Sequence, residues 1–484
     1  MSSTKKLYIF LFASFIIRAC IAWFLELGND EVYYVKYIQN TDFSYFDHPF
    51  MVGFVGQIST FNYHFQTEFF IRLGSLLIGT VNSYIIFSIS YYLWNEKTAW
   101  ISLILYSSSI YCSIIVGVFY MPDSPMTLFW LLALFTGLKA IRENKMNYLM
   151  LFGLLSAFAV ASKYQAVYLP FGLFLFCFIF KRKWLFHYKT IFGFLLFFLG
   201  LIPTILWNIE NNWVSFSFHK GRIGENGFHI NYFLKEIFGE IFYNNPISVF
   251  LYYFTIRFIL KTKKYTNESV AFLLLVSIPL IFTSVFLSFF TETFPHWSAP
   301  SYFSFILLAG YFIDSQKKWS VLPKYSLLFV LFITIYGFFE IEYGFIFNPK
   351  ARDQIVEKKG KHDFTQDTFG WKQLGEKFSI IRKKYPDIQS IVSNKWYPAS
   401  HQDYYVARPN NLELICEGNL HDIHQYYWIN PRHNWKKAFY ITSSNHFKSP
   451  SEVYPKYASK IIDTIAIYRR SDTIRVHFIY QLEK

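Results

Sequence analysis

Charged residues are scarce in this chain, and their scarcity excludes an ordinary soluble protein. Only 16% of the 484 residues are Asp, Glu, Lys or Arg, whereas soluble globular proteins carry about 25%. Hydrophobic residues make up 53% and aromatic residues 22%, and 58 residues are phenylalanine. Apolar runs recur that are long enough to cross a bilayer core of about 30 Å. The composition is that of a polytopic membrane protein.

Cysteine is also scarce, which excludes a disulfide framework. Of the four cysteines, only Cys416 falls in the polar C-terminal part. No Cys-x-x-Cys or His/Cys cluster has the spacing of a structural zinc site. The first apolar run lacks a small-residue cleavage site, so we interpret it as a retained span and not as a signal peptide.

The net charge of +14 would suggest nucleic acid in a soluble chain, but cytoplasmic loops of membrane proteins are enriched in Lys and Arg. We expect no nucleic-acid partner. With the N-terminus inside, sixteen Lys and Arg fall on the predicted cytoplasmic side and five in the opposite loops. This asymmetry predicts a cytoplasmic N-terminus, an odd number of spans and an outward C-terminal part.

The apolar runs predict helices, because backbone groups in lipid must form their hydrogen bonds internally. Residues 1–343 are therefore predicted to form an α-helical polytopic domain of about 11 transmembrane helices (range about 10–13), with a large outward loop at 28–66. The candidate spans lie at about 7–27, 69–93, 99–118, 125–140, 147–162, 164–180, 190–207, 234–260, 268–290, 299–315 and 324–343.

Near residue 344 the composition becomes that of a soluble domain. A helical pattern begins at Gly370-Trp371 and continues to about Lys384. Four later segments alternate or run apolar as strands do, at 388–393, 437–442, 461–468 and 473–480. Residues 344–484 are therefore predicted to form a small outward-facing α/β domain. Its irregularly spaced histidines His421, His424 and His433 are interpreted as structural and not as metal ligands.

Six short motifs occur in order along the predicted outward side. They are Asp30-Glu31 followed by aromatics, Tyr45-Phe46-Asp47-His48-Pro49, Arg72-Leu73, Pro122-Asp123-Ser124-Pro125, Ser162-Lys163-Tyr164 and Pro295-His296-Trp297-Ser298-Ala299-Pro300. Their order resembles the dolichyl- and polyprenyl-phosphate sugar transferases of the GT-C superfamily. It is most similar to the bacterial relatives of protein O-mannosyltransferases and of the aminoarabinose transferase that modifies lipid A. The resemblance covers about residues 7–315.

The resemblance implies a GT-C fold and a membrane glycosyltransferase. Such an enzyme moves a sugar from a polyprenyl-phosphate donor to a glycan, lipid or protein hydroxyl, with inversion, on the outer face of the bacterial inner membrane. The C-terminal part then corresponds to the family's outward, periplasmic domain. The alternative is a secondary transporter or flippase of lipid-linked sugars, which predicts inverted repeats and helices broken at mid-membrane. A non-catalytic scaffold would give no reason for acids and cations to gather on one face.

Transfer to a hydroxyl calls for a carboxylate that takes the acceptor proton. Asp30 matches the first acidic position of the family and is the candidate base, and Glu31 and Asp47 are further candidate catalytic acids. The pair Asp30-Glu31 could instead cap a juxtamembrane helix. Asp47 could instead hold His48 in a structural turn.

Positive charge is the second requirement, because the phosphate leaves as an anion. Arg72 and Lys163 lie near the outward ends of their spans and are candidate phosphate ligands, the arginine as a fork and the lysine as a point charge. Both could instead snorkel to the interface. The other candidate substrate-binding residues on this face are His48, Asp123, Tyr164, His219, Arg222, His296 and Trp297.

A divalent metal is a further option, because Asp30, Glu31, Asp47 and Asp123 could converge on one. Arg72 and Lys163 can neutralise the leaving phosphate without it. No metal ligand and no cofactor are therefore assigned, and the sugar and the acceptor stay open.

Overall fold

The computed structural model describes residues 2–221, 227–352, 354–429 and 435–484. The chain divides into two compact units. The first comprises Met1–Ala22 and Thr41–Phe332, and the second comprises Trp23–Asn40 and Ile333–Lys484. Residues 23–40, which the predicted boundary at residue 344 leaves with the membrane part, thus group with the C-terminal unit.

Helices form most of the chain, as the apolar runs predict. In chain order the α-helices are α1 Ser3–Phe24, α2 Asn29–Gln39, α3 Met51–Ser59, α4 Glu68–Leu93, α5 Glu96–Ser107, α6 Asp123–Glu143, α7 Asn147–Val160, α8 Tyr168–Phe180, α9 Arg182–Leu185, α10 Tyr188–Glu210, α11 Val214–Gly221, α12 Ile230–Tyr243, α13 Pro246–Lys261, α14 Glu268–Leu287, α15 Tyr302–Ser315, α16 Leu322–Tyr343, α17 Phe347–Arg352, α18 Trp371–Lys384, α19 Trp396–His401, α20 Leu420–Ile423, α21 Tyr426–Ile429 and α22 Pro450–Val453. The predicted outward loop at 28–66 therefore contains two helices, α2 and α3.

Six helical segments within the described ranges are long and apolar enough to cross a membrane. They are Ser3–Phe24, Glu68–Leu93, Asp123–Glu143, Tyr188–Glu210, Glu268–Leu287 and Lys317–Arg352. The segments Asn147–Val160 and Tyr164–Phe180 are apolar but shorter. The predicted polytopic helical fold is confirmed, while the count of about eleven spans stays a prediction.

The predicted span at 234–260 is wrong as a single helix, because the structure breaks it between α12 and α13. Asn245 has a positive φ of 73°, and Pro246 starts the next helix without a backbone N–H to satisfy. The Asn245 side-chain amide donates to the carbonyls of Ser108 (3.0 Å) and Ser326 (2.8 Å). Backbone carbonyls of neighbouring segments therefore accept the hydrogen bonds of the Asn245 amide at the break.

The C-terminal unit is built on one five-stranded sheet. Its strands are β1 Ser390–Ser393, β2 Glu413–Cys416, β3 Lys437–Ser443, β4 Ala458–Arg469 and β5 Asp472–Glu483, in the order β2-β1-β3-β5-β4. Strand β1 pairs in parallel with both β2 and β3, and β5 is antiparallel to β3 and β4. The predicted helix from 371 and the four predicted strands are confirmed. Sequence reasoning missed β2, a strand of four residues.

Helices α7 and α10 approach each other through glycine. A Cβ atom added at Gly153 would lie 1.9 Å from the carbonyl oxygen of Gly193, which is backbone and cannot turn away. Gly337 on α16 has no heavy atom within 4 Å of the same position. Both positions are glycines within α-helices, but only Gly337 has room for a Cβ atom.

We expect Gly153→Ala to destabilise the protein by about 1–3 kcal/mol, because overpacking forces the backbone to shift. The matched variant Gly337→Ala should be neutral or slightly stabilising, since alanine favours helix by about 1 kcal/mol. Thermal unfolding of the full chain in detergent measures both effects. Equal melting temperatures for the two variants would contradict the close approach of α7 and α10.

Candidate functional site

Two residues from separate predicted motifs, Asp123 and Lys163, form a buried ion pair in the first unit. Asp123 opens α6, and Lys163 follows α7 in extended backbone. The Lys163 Nζ lies 2.8 Å from Asp123 Oδ2 and 2.9 Å from Oδ1, and the side chains of Lys163 and Asp123 are 3% and 0% exposed. Tyr111 donates its hydroxyl to Asp123 Oδ1 at 2.9 Å. The pair uses two of the three donors that an ammonium group carries.

His296 lies in the loop between α14 and α15, and it interacts electrostatically with both Lys163 and Asp123. Burial and the Lys163 ammonium lower the pKa of His296 well below its usual range, and Asp123 opposes them. The imidazole is therefore neutral at pH 7, with one N–H donor and one acceptor nitrogen. Trp297 turns back within the same loop, where its backbone N–H donates to the Phe294 carbonyl at 2.8 Å.

Sequence reasoning missed two acidic residues on α12, Glu236 and Glu240. They are 0% and 5% exposed. Glu240 accepts hydrogen bonds from the hydroxyls of Ser298 and Tyr302, and Glu236 lies beside Thr293. Their spacing of four residues puts both glutamates on one face of α12. Their neighbours Thr293 and Ser298 show that this face lies against the loop between α14 and α15. Two glutamates four apart in an otherwise apolar run were the available signal.

A second cluster of predicted residues adjoins the ion pair in sequence. His219 Nε2 lies 3.1 Å from the backbone oxygen of Asp47, and the ring of Tyr164 lies 5.5 Å from the His219 ring. His48 accepts a backbone hydrogen bond within the turn that carries Asp47. Since Tyr164 directly follows Lys163, the structure brings residues of the second and fifth motifs and His219 to one region.

Two hydrogen bonds fix the start of α3 in this region. The N–H of Met51 donates to the carbonyl of Ala161 at 3.1 Å. The hydroxyl of Tyr120 donates to the carbonyl of Val52 at 2.7 Å. Because Ala161 is two residues before Lys163, the turn with Asp47 is tied to the backbone that positions the lysine.

Arg72, from the third motif, is fully buried on α4. It donates to the carbonyl of Ala22 at 3.1 Å, and its guanidinium lies 5.6 Å from the centre of the Phe119 ring. Burial inside the unit argues against snorkelling to the interface. Buried cations are rare in membrane-spanning segments and pair with other polar groups, as Arg72 does with the Ala22 carbonyl.

Asp30 and Glu31, from the first motif, belong to the second unit, where they open α2. Glu31 is buried and accepts the N–H of Gly28 at 2.9 Å, which is the reach-back contact of a capping box. Asp30 is exposed in the first turn, where the helix dipole stabilises a negative charge. The two adjacent acids therefore differ, since the Glu31 carboxylate caps the helix start and Asp30 is exposed to solvent.

Asp367, from the C-terminal part of the same unit, approaches the start of α2. Its Oδ1 accepts the N–H of Asn29 at 3.1 Å. Burial and the charge of Asp30 raise the pKa of Asp367 to about 7, with Glu31 acting in the same direction and Arg475 against it. The acidic group at this helix start is therefore sensitive to pH near neutrality.

Further hydrogen bonds join the segment before α2 to the C-terminal part. Glu26 accepts the backbone N–H groups of Trp371 (2.7 Å) and Lys372 (3.2 Å), which start α18. The N–H of Leu27 donates to the Tyr405 hydroxyl at 2.7 Å. Glu26 and Trp371 are 345 residues apart in the chain, so local sequence carried no signal for these contacts.

Two predicted positions, Arg222 and His433, lie outside the described residues. Another, His424, is buried and stacks on Trp396 with ring centres 5.3 Å apart, which is a packing role. Within the described ranges, no group of three or more His, Cys, Asp or Glu side chains is arranged to hold a metal ion.

One protein family matches the chain by sequence. Residues 47–207 match the family described as dolichyl-phosphate-mannose-protein mannosyltransferase, about a third of the 484 residues. The matched part contains Asp47, His48, Arg72, Asp123, Lys163 and Tyr164. A search of curated protein sequences gives no match.

Solved structures match over the whole length. ArnT from Cupriavidus metallidurans in the apo state is similar with a TM-score of 0.64 and 11% identity, covering 99% of this chain and 98% of that one. The chain has the GT-C fold. ArnT from the same organism bound to undecaprenyl phosphate is similar with a TM-score of 0.58 and 12% identity, over the same shares of both chains. The resemblance that the ordered motifs indicate is confirmed at the level of the GT-C fold.

The first unit of this GT-C fold offers groups suited to an anion. Lys163 and Arg72 carry positive charge in buried positions, and a neutral His296 can donate one hydrogen bond. Pre-organised donors of this kind stabilise developing negative charge more strongly than donors in water do. The second unit presents an exposed carboxylate, Asp30, that can accept a proton.

The ion pair predicts a non-additive effect on stability. Lys163→Met or Asp123→Leu leaves one buried charge without its partner, and each should cost about 3–5 kcal/mol of unfolding free energy. The double variant removes both charges and should recover part of that loss. Thermal unfolding in detergent measures the cycle.

The surface pair Lys145–Glu143, with an N–O distance of 3.0 Å and side chains that are 66% and 27% exposed, is the control. Lys145→Met, Glu143→Leu and their double variant should each change stability by less than about 1 kcal/mol. A Lys163→Met/Asp123→Leu double variant whose loss equals the sum of the two single losses would count against the buried pair.

The raised pKa of Asp367 predicts a pH-dependent stability. In the unfolded chain an aspartate titrates near about 3.9, whereas in the folded state the pKa of Asp367 is about 7. The folded state therefore holds this proton more tightly, and the resulting stabilisation, complete below about pH 4, is lost as pH rises through 7. Asp367→Asn keeps an oxygen for the Asn29 N–H and removes the titration.

We expect the stability of Asp367→Asn relative to the unsubstituted protein to increase between about pH 5 and pH 8. Melting temperatures across that range measure the difference. Asp463→Asn, on β4, is the control and should keep the slope of the unsubstituted protein. Parallel curves for Asp367→Asn and the unsubstituted protein would show that Asp367 does not titrate there.

Proposed function

We propose that this protein is a membrane glycosyltransferase that moves a sugar from a polyprenyl-phosphate donor to an acceptor hydroxyl, with inversion at the anomeric carbon. The observation that carries the proposal is the buried Lys163–Asp123 pair beside His296, within a chain that has the GT-C fold throughout. The structure of ArnT bound to undecaprenyl phosphate and the mannosyltransferase match at residues 47–207 support the donor class.

Asp30 is proposed as the general base. The acceptor oxygen attacks the anomeric carbon while the carboxylate of Asp30 takes the hydroxyl proton. The new glycosidic bond forms as the bond from the anomeric carbon to the phosphate oxygen breaks, and its electron pair leaves with the phosphate. A positioned base contributes about 10²–10⁴-fold to such a reaction. Glu31, which caps α2, is proposed to position the helix that carries Asp30.

Lys163 and Arg72 are proposed to bind the phosphate, and His296 to donate a hydrogen bond to it. Asp123 then positions Lys163, because both of its carboxylate oxygens already accept from the lysine. The other proposed donor- and acceptor-binding residues are Asp47, His48, Tyr164, His219, Arg222 and Trp297. Asp123 offsets the charge of Lys163, so in this proposal Arg72 supplies the net positive charge and Lys163 adds an oriented hydrogen-bond donor for the leaving phosphate. The proposal includes no metal or other cofactor.

The surplus of Lys and Arg in one set of loops supports a cytoplasmic N-terminus. We propose that the site faces the outer side of a bacterial inner membrane and that the C-terminal domain lies in the periplasm or outside the cell. The acceptor is a glycan, a lipid or a protein hydroxyl. The large loop at 28–66, which carries Asp30 and Asp47, belongs to the same outward face in this proposal.

A flippase of lipid-linked sugars is the alternative, and the break between α12 and α13 is the observation that bears on it. Transporters use broken helices whose open ends bind the cargo. Here the side chain of Asn245 bonds to the carbonyls of Ser108 and Ser326, so backbone neighbours already occupy the break. This satisfied break favours the transferase.

The test is transfer of radiolabelled sugar from polyprenyl-phosphate donors to membrane extract by the purified protein. Asp30→Asn should lower the rate by about 10²–10⁴-fold through loss of the base. Lys163→Ala should lower it by at least about tenfold through loss of a charge-assisted contact. Asp463→Asn and Lys145→Ala, outside the proposed site, are the controls and should leave the rate unchanged.

Transfer that survives both substitutions unchanged would refute the site assignment. Absence of transfer with every donor, together with movement of labelled donor across sealed vesicles, would identify a flippase instead. Melting temperatures of the variants separate loss of chemistry from loss of folding.

A further inference from the structure

A crevice opens at one end of the sheet in the C-terminal unit. It has a volume of about 610 Å³, within the range of about 300–1,000 Å³ that small-molecule sites occupy. Its walls come from the segments that follow β1 and β3 and from residues 357–361. The transfer site proposed above uses none of these residues.

The topology of the sheet explains why a crevice forms there. Strand β1 is parallel to β2 on one side and to β3 on the other. The chain runs from β1 to β2, then crosses back to β3 on the opposite side of β1. The connections that leave β1 and β3 therefore diverge and leave a gap at the carboxyl ends of the two strands. In open α/β sheets this point of reversal is where ligands bind.

The charge of the crevice favours an anion. Its lining includes four lysines and one glutamate, Lys358, Lys361, Lys395, Lys448 and Glu357. Lys395 is 3.5 Å from Asp422. Within the described ranges, no side-chain hydrogen bond or ion pair engages the ammonium groups of the other three lysines, all of which are exposed. Several positive charges converge on a concave surface with little negative charge to offset them.

The remaining lining is aromatic and polar. Tyr397, His446 and Phe447 place rings at the crevice, and the Tyr397 and His446 rings meet edge to face with centres 5.6 Å apart. Asn394 and Asn445 add amide groups, and the amide of Asn445 also accepts from Ser443 and donates to Gln366. Flat rings cover the C–H faces of sugars, and amides bond to their hydroxyls. This combination of rings, amides and ammonium groups suits a saccharide that carries carboxylate or phosphate.

We propose that the crevice at the carboxyl ends of β1 and β3 binds an anionic saccharide. The lysines contact its carboxylate or phosphate groups, and the rings and amides contact its sugar. The inference does not depend on the transfer reaction, because binding alone tests it.

The test is calorimetry with the full chain in nanodiscs of neutral lipid, titrated with tetragalacturonate. Maltotetraose, which is uncharged, and inorganic phosphate are titrated separately. Lys361→Glu/Lys448→Glu should bind tetragalacturonate at least about tenfold more weakly, because two charge-assisted contacts become repulsive. Lys383→Glu/Lys460→Glu makes the same change in charge outside the crevice and should bind within about twofold of the unsubstituted protein.

Four outcomes would overturn the proposal. They are absence of tetragalacturonate binding, equal loss in both double variants, equal affinity for maltotetraose, and equal affinity for inorganic phosphate alone. The substituted lysines are exposed, so an unchanged melting temperature is expected for every variant. Retained sugar transfer by Lys361→Glu/Lys448→Glu, with lost tetragalacturonate binding, would separate this crevice from the transfer site.

Discussion

The buried pair of Lys163 and Asp123 constrains the first unit, because a charge inside a membrane protein must find its partner locally. Asp123 starts α6 and Lys163 follows α7, so the pair forms only if these helix ends meet. The bond from Met51 to Ala161 then ties the turn with Asp47 to the same backbone. Removing either charge would leave the other without compensation, which costs more than the pair itself contributes. One electrostatic requirement thus sets the geometry of several loops.

In the second unit, the acidic start of α2 is held by residues that are distant in the chain. Asn29 bonds to Asp367 across 338 residues of chain, and Leu27 bonds to Tyr405 across 378. Glu31 completes the helix start from within α2. Asp30 is therefore presented by a short helix whose first turn is fixed by the C-terminal domain. Such long-range contacts explain why residues 23–40 group with that domain.

Patterns that repeat locally were predictable from the sequence, and contacts between distant residues were not. Long apolar runs predict helices by themselves, and four of the five strands follow from alternation. The ordered motifs predict the GT-C fold, since spacing along the chain survives when identity is low. Glu236, Glu240 and Asp367 lie outside those motifs, and their roles arise from partners on other elements. The break at Asn245 was not predicted either, because hydropathy is averaged over a window of residues and does not reveal one residue with a positive φ.

The ion pair and the proposed phosphate site are compatible because of hydrogen-bond stoichiometry. An ammonium group has three donors, and Asp123 accepts two of them from Lys163. A phosphate oxygen can therefore take the third donor without displacing Asp123. The carboxylate then fixes the direction of that donor, and Tyr111 fixes the carboxylate. In the proposed reaction the ion pair holds one N–H group of Lys163 in a fixed direction. This donor therefore needs little reorganisation when the phosphate leaves.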